Sequence, residues 1–179
     1  LASKLSKINT VKLDTDKLSV SKEAKKRGSG YLNVALFGVD SRDNDLDKGT
    51  RSDTIMIASL NKKTMKVKIA SIYRDTLSEQ EDGTLNKINA AYSYGGPEGA
   101  LSVLNKNLDM NIEHYVTVNF NSMIDIVDSV GGIDIDVQED EMPYICGYVQ
   151  EIMKVTGKLS PGVTEPGTQT LNGVQATAY

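Results

Sequence analysis

From Tyr31 onward the chain alternates between apolar runs and polar breaks, and the runs have the lengths of strands and helices. The stretch LNVALFGV (32–39) is almost continuously apolar, as suits a strand buried on both faces of a helix-covered sheet. Next, TIMIASL (54–60) and KVKIASIY (66–73) flank the polar NKKT (61–64), which predicts a hairpin and hence a mixed sheet. A helix is predicted over GGPEGALSVLNKNL (95–108), with Pro97 near its start, Glu98 in the first turn, and Ala100, Val103, Leu104 and Leu108 at helical spacing. EHYVTVNF (113–120) reads as a strand. NSMIDIVDSVGG (121–132) reads as a helix capped by Asn121 or Ser122 and closed by glycine, and IDIDV (133–137) as an alternating strand. After Gln138 the pattern weakens to a short helix over GYVQEIMKV (147–155) and a loop over KLSPGVTEPGTQT (158–170). A helix-like pattern follows in LNGVQATAY (171–179). Strands alternating with helices predict the α/β class, as a three-layer α/β/α sandwich with a central mixed β-sheet. The polar residues 1–30 read as an N-terminal approach, with the domain and its core over 31–179.

Composition changes this picture little. A chain of 179 residues, 39% hydrophobic and 25% charged, suffices for one domain with a full core. The formal net charge of −4 argues against a nucleic-acid partner, because phosphate-backbone affinity needs clustered Lys and Arg. Cys146 is the only cysteine, which excludes an intrachain disulfide and a thiolate zinc cage. No apolar run reaches the roughly 18–20 residues that span a bilayer. With no signal-peptide pattern at Leu1, the chain reads as cytosolic or as a soluble piece of an anchored protein.

Candidate chemistry concentrates in GVDSRDNDLDKGTRSDT (38–54), between two apolar strands. Asp43, Asp45 and Asp47 have the odd spacing of a calcium loop. That pattern fails where Lys48 replaces the glycine of position six and Thr54 the closing glutamate of position twelve. Those three aspartates read instead as a solvated turn. Asp40 and Asp53 differ, since each sits where the loop meets a strand, and two carboxylates facing one pocket suit Mg²⁺ completed by water and phosphate oxygens. Arg42 and Arg51 stand beside them, and arginine forks onto phosphate oxygens. Arg74 and Asp75 directly follow a strand, where ligands of open α/β sheets bind; a plain ion pair closing a turn is the alternative. Lys87, Asn89 and Tyr92 precede a glycine-rich helix start, whose amides suit an anion. No nucleophile elbow is present, and the only histidine, His114, begins a strand, so a Ser-His-Asp triad finds no support.

In order and spacing, LNVALFGVDSR, TRSDTIMIASL, KVKIASIYRDT, KINAAYSYGGPEGA and IDIVDSVGGIDIDV closely resemble the LytR-CpsA-Psr family of cell-wall ligases. The match runs continuously from about Tyr31 to Val137, and LNGVQATAY resembles the family's later helix start. The resemblance implies a Mg²⁺-dependent phosphotransferase on the outer face of the Gram-positive cytoplasmic membrane, anchored by an N-terminal helix that precedes this sequence. Its donor is an anionic glycopolymer, of wall teichoic acid or capsule type, on an undecaprenyl-pyrophosphate carrier, and its acceptor is peptidoglycan. By motif match, Asp40 and Asp53 fall on the metal ligands, and Arg51 and Arg74 on the pyrophosphate-binding arginines. Arg42, Asp75 and Lys87 lie near the same head group. Phosphoryl transfer rests on positioning and charge neutralisation, so the missing triad is no obstacle. A non-catalytic polyprenyl-phosphate or polymer-binding module and a lipid pyrophosphatase are the alternatives. Two departures stand out. Tyr73 occupies the place of the family's proline before RDT, and the arginine pair expected after the last helix start would lie beyond Tyr179.

Overall fold

The computed structural model describes residues 11–40 and 49–179. Strand β1 (Tyr31–Val39) lies inside a four-stranded sheet with β2 (Ser52–Asn61), β3 (Val67–Ser71) and β6 (His114–Val118), in the order β3-β2-β1-β6. The pairs β1/β2 and β2/β3 are antiparallel and β1/β6 is parallel, so the sheet is mixed, as the hairpin pattern predicts. At the β2–β3 turn, Asn61 Oδ1 accepts from the amides of Lys63 and Thr64 at 3.0 and 2.9 Å, a side-chain-closed turn that explains why NKKT punctuates two apolar runs.

One face of this sheet is sealed. Ala35, Phe37 and Val39 of β1 and Ile55 and Ile57 of β2 pack against helix α2 (Ala90–Leu108), which supplies Tyr92, Ala100, Leu101, Val103 and Leu104. Phe37 and Tyr92 meet edge to face with centroids 5.2 Å apart, and the Tyr92 hydroxyl lies 3.0 Å from Thr117 Oγ1. The opposite face is only half-buried: Leu32, Val34 and Leu36 are intermediate, so β1 is not enclosed on both sides as its sequence suggests. The core also begins before Tyr31. Leu18 is fully buried against α2, and helix α1 (Lys22–Gly28), capped by Ser21, buries Ala24.

Several elements differ from the pattern in the sequence. Helix α2 starts at Ala90 and breaks at Gly96 (φ 62°, ψ −156°), so the expected start at Gly95 marks a kink before Pro97. A short hairpin, β4 (Leu77–Glu79) with β5 (Leu85–Lys87), precedes it. Helix α3 (Phe120–Ser129) is capped by Asn119, whose Oδ1 accepts from Ser122 N at 2.9 Å, and neither Asn121 nor Ser122 is the cap. Strand β7 (Ile133–Val137) leaves the central sheet and pairs with β8 (Gly167–Leu171), whose first four residues lie in the stretch read as loop and whose last, Leu171, opens the stretch read as helix. Helix α4 (Met142–Thr156) begins earlier than expected, with Pro143 in its first turn. Together with α5 (Gly173–Ala178), these elements enclose a second core of Ile124, Val137, Ile145, Val149, Leu171 and Val174.

Candidate functional site

The end of β1 is where the charged residues gather, and a local irregularity places the first of them. Gly38 pairs with Thr54 and Val39 with Ser52, so the register skips Asp53. An extra residue of this kind bends its strand and re-aims its side chain. Ser52 is thereby turned fully into the core while Asp53 faces solvent. Arg74 reaches it across the adjacent strand end, with Nη1 2.5 Å from Asp53 Oδ1.

Arg74 and Asp75 occupy a tight turn after β3. Ile72 N still donates to Ile55 O at 2.8 Å, continuing the sheet, and Thr76 N donates to Tyr73 O at 2.9 Å, closing the turn. The β5–α2 junction is strapped to this turn by Ile88 N donating to Thr76 O at 2.8 Å and Asn89 N to Arg74 O at 3.2 Å. That strap brings Lys87 Nζ to 2.6 Å from Asp75 Oδ1. The Lys87 hydrogen bond holds the Asp75 carboxyl below its ordinary value; desolvation opposes this, and the charges of Lys87, Arg74 and Arg51 reinforce it. Arg51, Asp53, Arg74, Asp75 and Lys87 thus form one electrostatic cluster. All four members of its two ion pairs are about half exposed, so the cations are open to a solvent-borne anion. Tyr73, at 88% exposure, projects away from the core, and its hydroxyphenyl adds no charge.

Asp40 follows β1 directly. It lines a cavity of about 290 Å³ with Phe120, Tyr148, Glu151, Ile152 and Val155, so α3 and α4 flank the strand end on that side. Sequence reading did not connect Tyr148 or Glu151 with Asp40, because only the packing of α4 brings them there. Arg42 lies outside the described residues, as do Asp43, Asp45, Asp47 and Lys48. His114 pairs with Val34 at the far end of the parallel β1/β6 pair, remote from Asp40. Cys146 bonds to Val163 O at 3.3 Å within the second core's surroundings. Behind the cluster stand Ser52, which sequence reading misses, and Asn89, which it places only before a helix start. Both are buried, and among the described residues Ser52 Oγ and Asn89 Oδ1 each lack a hydrogen-bond partner, which is uncommon enough to mark the site's rear wall.

The donor set fits a hard cation and not a soft one. No three His, Cys, Asp or Glu side chains converge among the described residues. Asp40 and Asp53 lie at the neighbouring ends of β1 and β2, Asp53 paired with Arg74, and oxygen donors of this kind suit Mg²⁺, whereas a zinc site ordinarily takes nitrogen or sulfur ligands.

A model of the LytR_cpsA_psr family matches residues 1–179. The chain is 39% identical over 126 residues to the polyisoprenyl-teichoic acid–peptidoglycan teichoic acid transferase TagU of Bacillus cereus (strain AH820), an alignment covering 70% of this chain and 40% of that protein. Among solved structures it is similar to B. subtilis TagV, at 30% identity and a TM-score of 0.61 over 83% of this chain and 54% of the other. It also shares the fold of the LytR-CPS2A-psr family protein YwtF (TagT) with bound octaprenyl pyrophosphate lipid: 24% identity, TM-score 0.64, 96% of this chain and 60% of the other. The chain therefore spans well under two thirds of the curated relative's length. It belongs to the LytR_cpsA_psr family.

Proposed function

We propose that this chain carries the catalytic site of a phosphotransferase that moves an anionic glycopolymer from a polyprenyl-pyrophosphate carrier to peptidoglycan at the outer face of the cytoplasmic membrane. The observation that carries this reading is the pair of half-exposed contacts Arg74–Asp53 and Lys87–Asp75, joined by the peptide between Arg74 and Asp75. Each cation is held in place by a carboxylate yet open to solvent, so a pyrophosphate can be met without reorganising the site. The name of the B. cereus relative supplies the substrate class, and the octaprenyl pyrophosphate in a protein of the same fold shows that this fold accommodates such a lipid.

In this reading Arg74 and Arg51 bind the non-bridging oxygens, and Lys87 positions Asp75 beside them. Asp40 and Asp53 would hold Mg²⁺, which would neutralise charge on the bound pyrophosphate. The acceptor hydroxyl oxygen forms a bond to the sugar-side phosphorus, its proton passing to a base. The bridging P–O bond breaks and polyprenyl phosphate leaves, so a phosphodiester remains. Because the cluster is open to solvent, water can take the acceptor's place, and slow pyrophosphate hydrolysis is expected as a side reaction. No helix among the described residues is long and apolar enough to cross a membrane.

The full-length protein, assayed with a lipid-pyrophosphate donor in Mg²⁺ and in chelator, tests this. Arg74→Ala is expected to lower kcat/KM by about 100-fold or more, the usual loss when one charge-stabilising donor is removed. Undiminished turnover by that variant would remove Arg74 from the site, and tight donor binding without turnover in Mg²⁺ would identify a binding module.

A further inference from the structure

Between Asp53 and Asp75 the chain holds no acidic residue, and Lys62, Lys63, Lys66 and Lys68 crowd into the β2–β3 turn and the start of β3. All four are exposed, and no carboxylate among the described residues pairs with any of them. In a chain of net charge −4, this concentrates unpaired positive charge at one end of the central sheet. The same end turns apolar side chains to solvent. Met65 is 70% exposed at the tip, Val67 is 57% exposed beside it, and Tyr31, which pairs with Asn61 across β1 and β2, is exposed next to them. Backbone geometry does not call for methionine there. Met65 N donates to Asn61 O at 2.8 Å to close the turn, and Met65 takes φ 56°, where glycine or asparagine is the ordinary choice. The tip is also fixed to the chain leaving α1, because Lys62 N donates to Gly30 O at 3.0 Å.

Lysine on an edge strand discourages strand pairing between molecules, which accounts for Lys68 of β3. It does not account for Lys62 and Lys63 in the turn, and the exposed Met65 and Val67 work against it. A soluble polyanion would engage the lysines and leave the apolar side chains in water. An anionic bilayer takes both components. Lysines among headgroup phosphates each raise the partition about fivefold, and apolar side chains gain by entering the boundary between headgroups and acyl chains. The basic, apolar-tipped hairpin therefore matches a lipid surface in charge and in hydrophobicity together.

We propose that the β2–β3 tip docks on the surface of an anionic bilayer, with its lysines among the phosphates and Met65 and Val67 at the acyl boundary. The nine residues of β1 separate this tip from Asp40 by roughly 30 Å at about 3.3 Å per residue, so the contact stands apart from the charged cluster and from the transferase reading. Because no helix among the described residues can cross a membrane, sedimentation of the 179-residue chain with vesicles reads a surface contact. The chain is expected to bind vesicles of phosphatidylglycerol with phosphatidylcholine, to lose them as salt rises, and to ignore phosphatidylcholine alone. Replacing the four lysines together by glutamine (Lys62→Gln, Lys63→Gln, Lys66→Gln and Lys68→Gln) should weaken that binding by about 100-fold or more. The single Lys63→Gln, expected at about fivefold, serves if the quadruple variant does not fold. Met65→Ser should weaken vesicle binding by about fivefold and leave binding of soluble polyphosphate within about twofold of the parent. Equal binding to both kinds of vesicle, or anionic-vesicle binding unchanged by the lysine substitutions, overturns the proposal. If Met65→Ser binds anionic vesicles like the parent while the lysine variants lose vesicles and polyphosphate alike, the tip is a polyanion site and the bilayer is overturned as its partner.

Discussion

Asp75 is 59% exposed at its side chain, yet its charge state is governed by neighbours, with the Lys87 hydrogen bond foremost. A folded-state pKa below the unfolded one means that this carboxylate adds stability above its ordinary value of about 3.9 and loses it as the pH falls through the depressed value. Lys87→Gln should therefore raise the Asp75 midpoint towards that ordinary value in a carboxyl-carbon NMR titration, and an unmoved midpoint would show that the contact does nothing. Asn105 makes the contrasting case of a buried amide. Its Nδ2 donates to Leu18 O at 2.8 Å and to Ile112 O at 3.0 Å, and its Oδ1 accepts from Ile112 N at 2.8 Å. Asn105→Ala leaves those backbone groups unpaired, and a loss of about 1–3 kcal/mol is expected in urea unfolding. The charged residues of the cluster are legible in the sequence because charge at a strand end has few roles. Asn105 is not, since an asparagine in a helical pattern does not reveal that three distant backbone groups converge on it.

Helix α5 is short, and its position depends on one glycine. A Cβ on Gly173 would lie 2.3 Å from Ile124 O, so α5 sits against the backbone of α3 at a distance no side chain permits. Asp128 of α3 accepts from Gly173 N at 2.7 Å, and Asn172 and Gln175 complete a reciprocal cap. Gly173→Ala is expected to cost about 1–3 kcal/mol or more by overpacking, read as a lower denaturation midpoint. A change within a few tenths would mean that α5 shifts freely. In LNG the helix start is visible, while the close approach is not. Strand β8 shows the same limit. TQTL is flanked by proline and glycine and reads as loop, but β7 offers it a partner, and Thr170 donates to Asp134 Oδ1 at 2.6 Å. Strand formation there depends on a neighbour rather than on local preference.

Across the whole molecule two cores are joined, one between α2 and the central sheet and one among α3, α4, α5 and the β7–β8 ribbon. Asp40 stands where they meet, at the end of a strand in the first and lining a cavity shared with α4 of the second. Leu18 ties the polar N-terminal segment to the first core, and Leu18→Ala should destabilise the fold by about 2–5 kcal/mol; an exposed approach segment would show almost no change. Periodicity and residue type alone determined the α/β class, the mixed sheet, the central strand and the candidate charges at its end, because these follow from local spacing and from the hydrophobic effect acting on it. Only the tertiary structure decided which carboxylate faces which cation, where the bulge at Asp53 falls, and why Gly173 must be glycine. Those depend on distances between segments far apart in the chain, which no local pattern encodes.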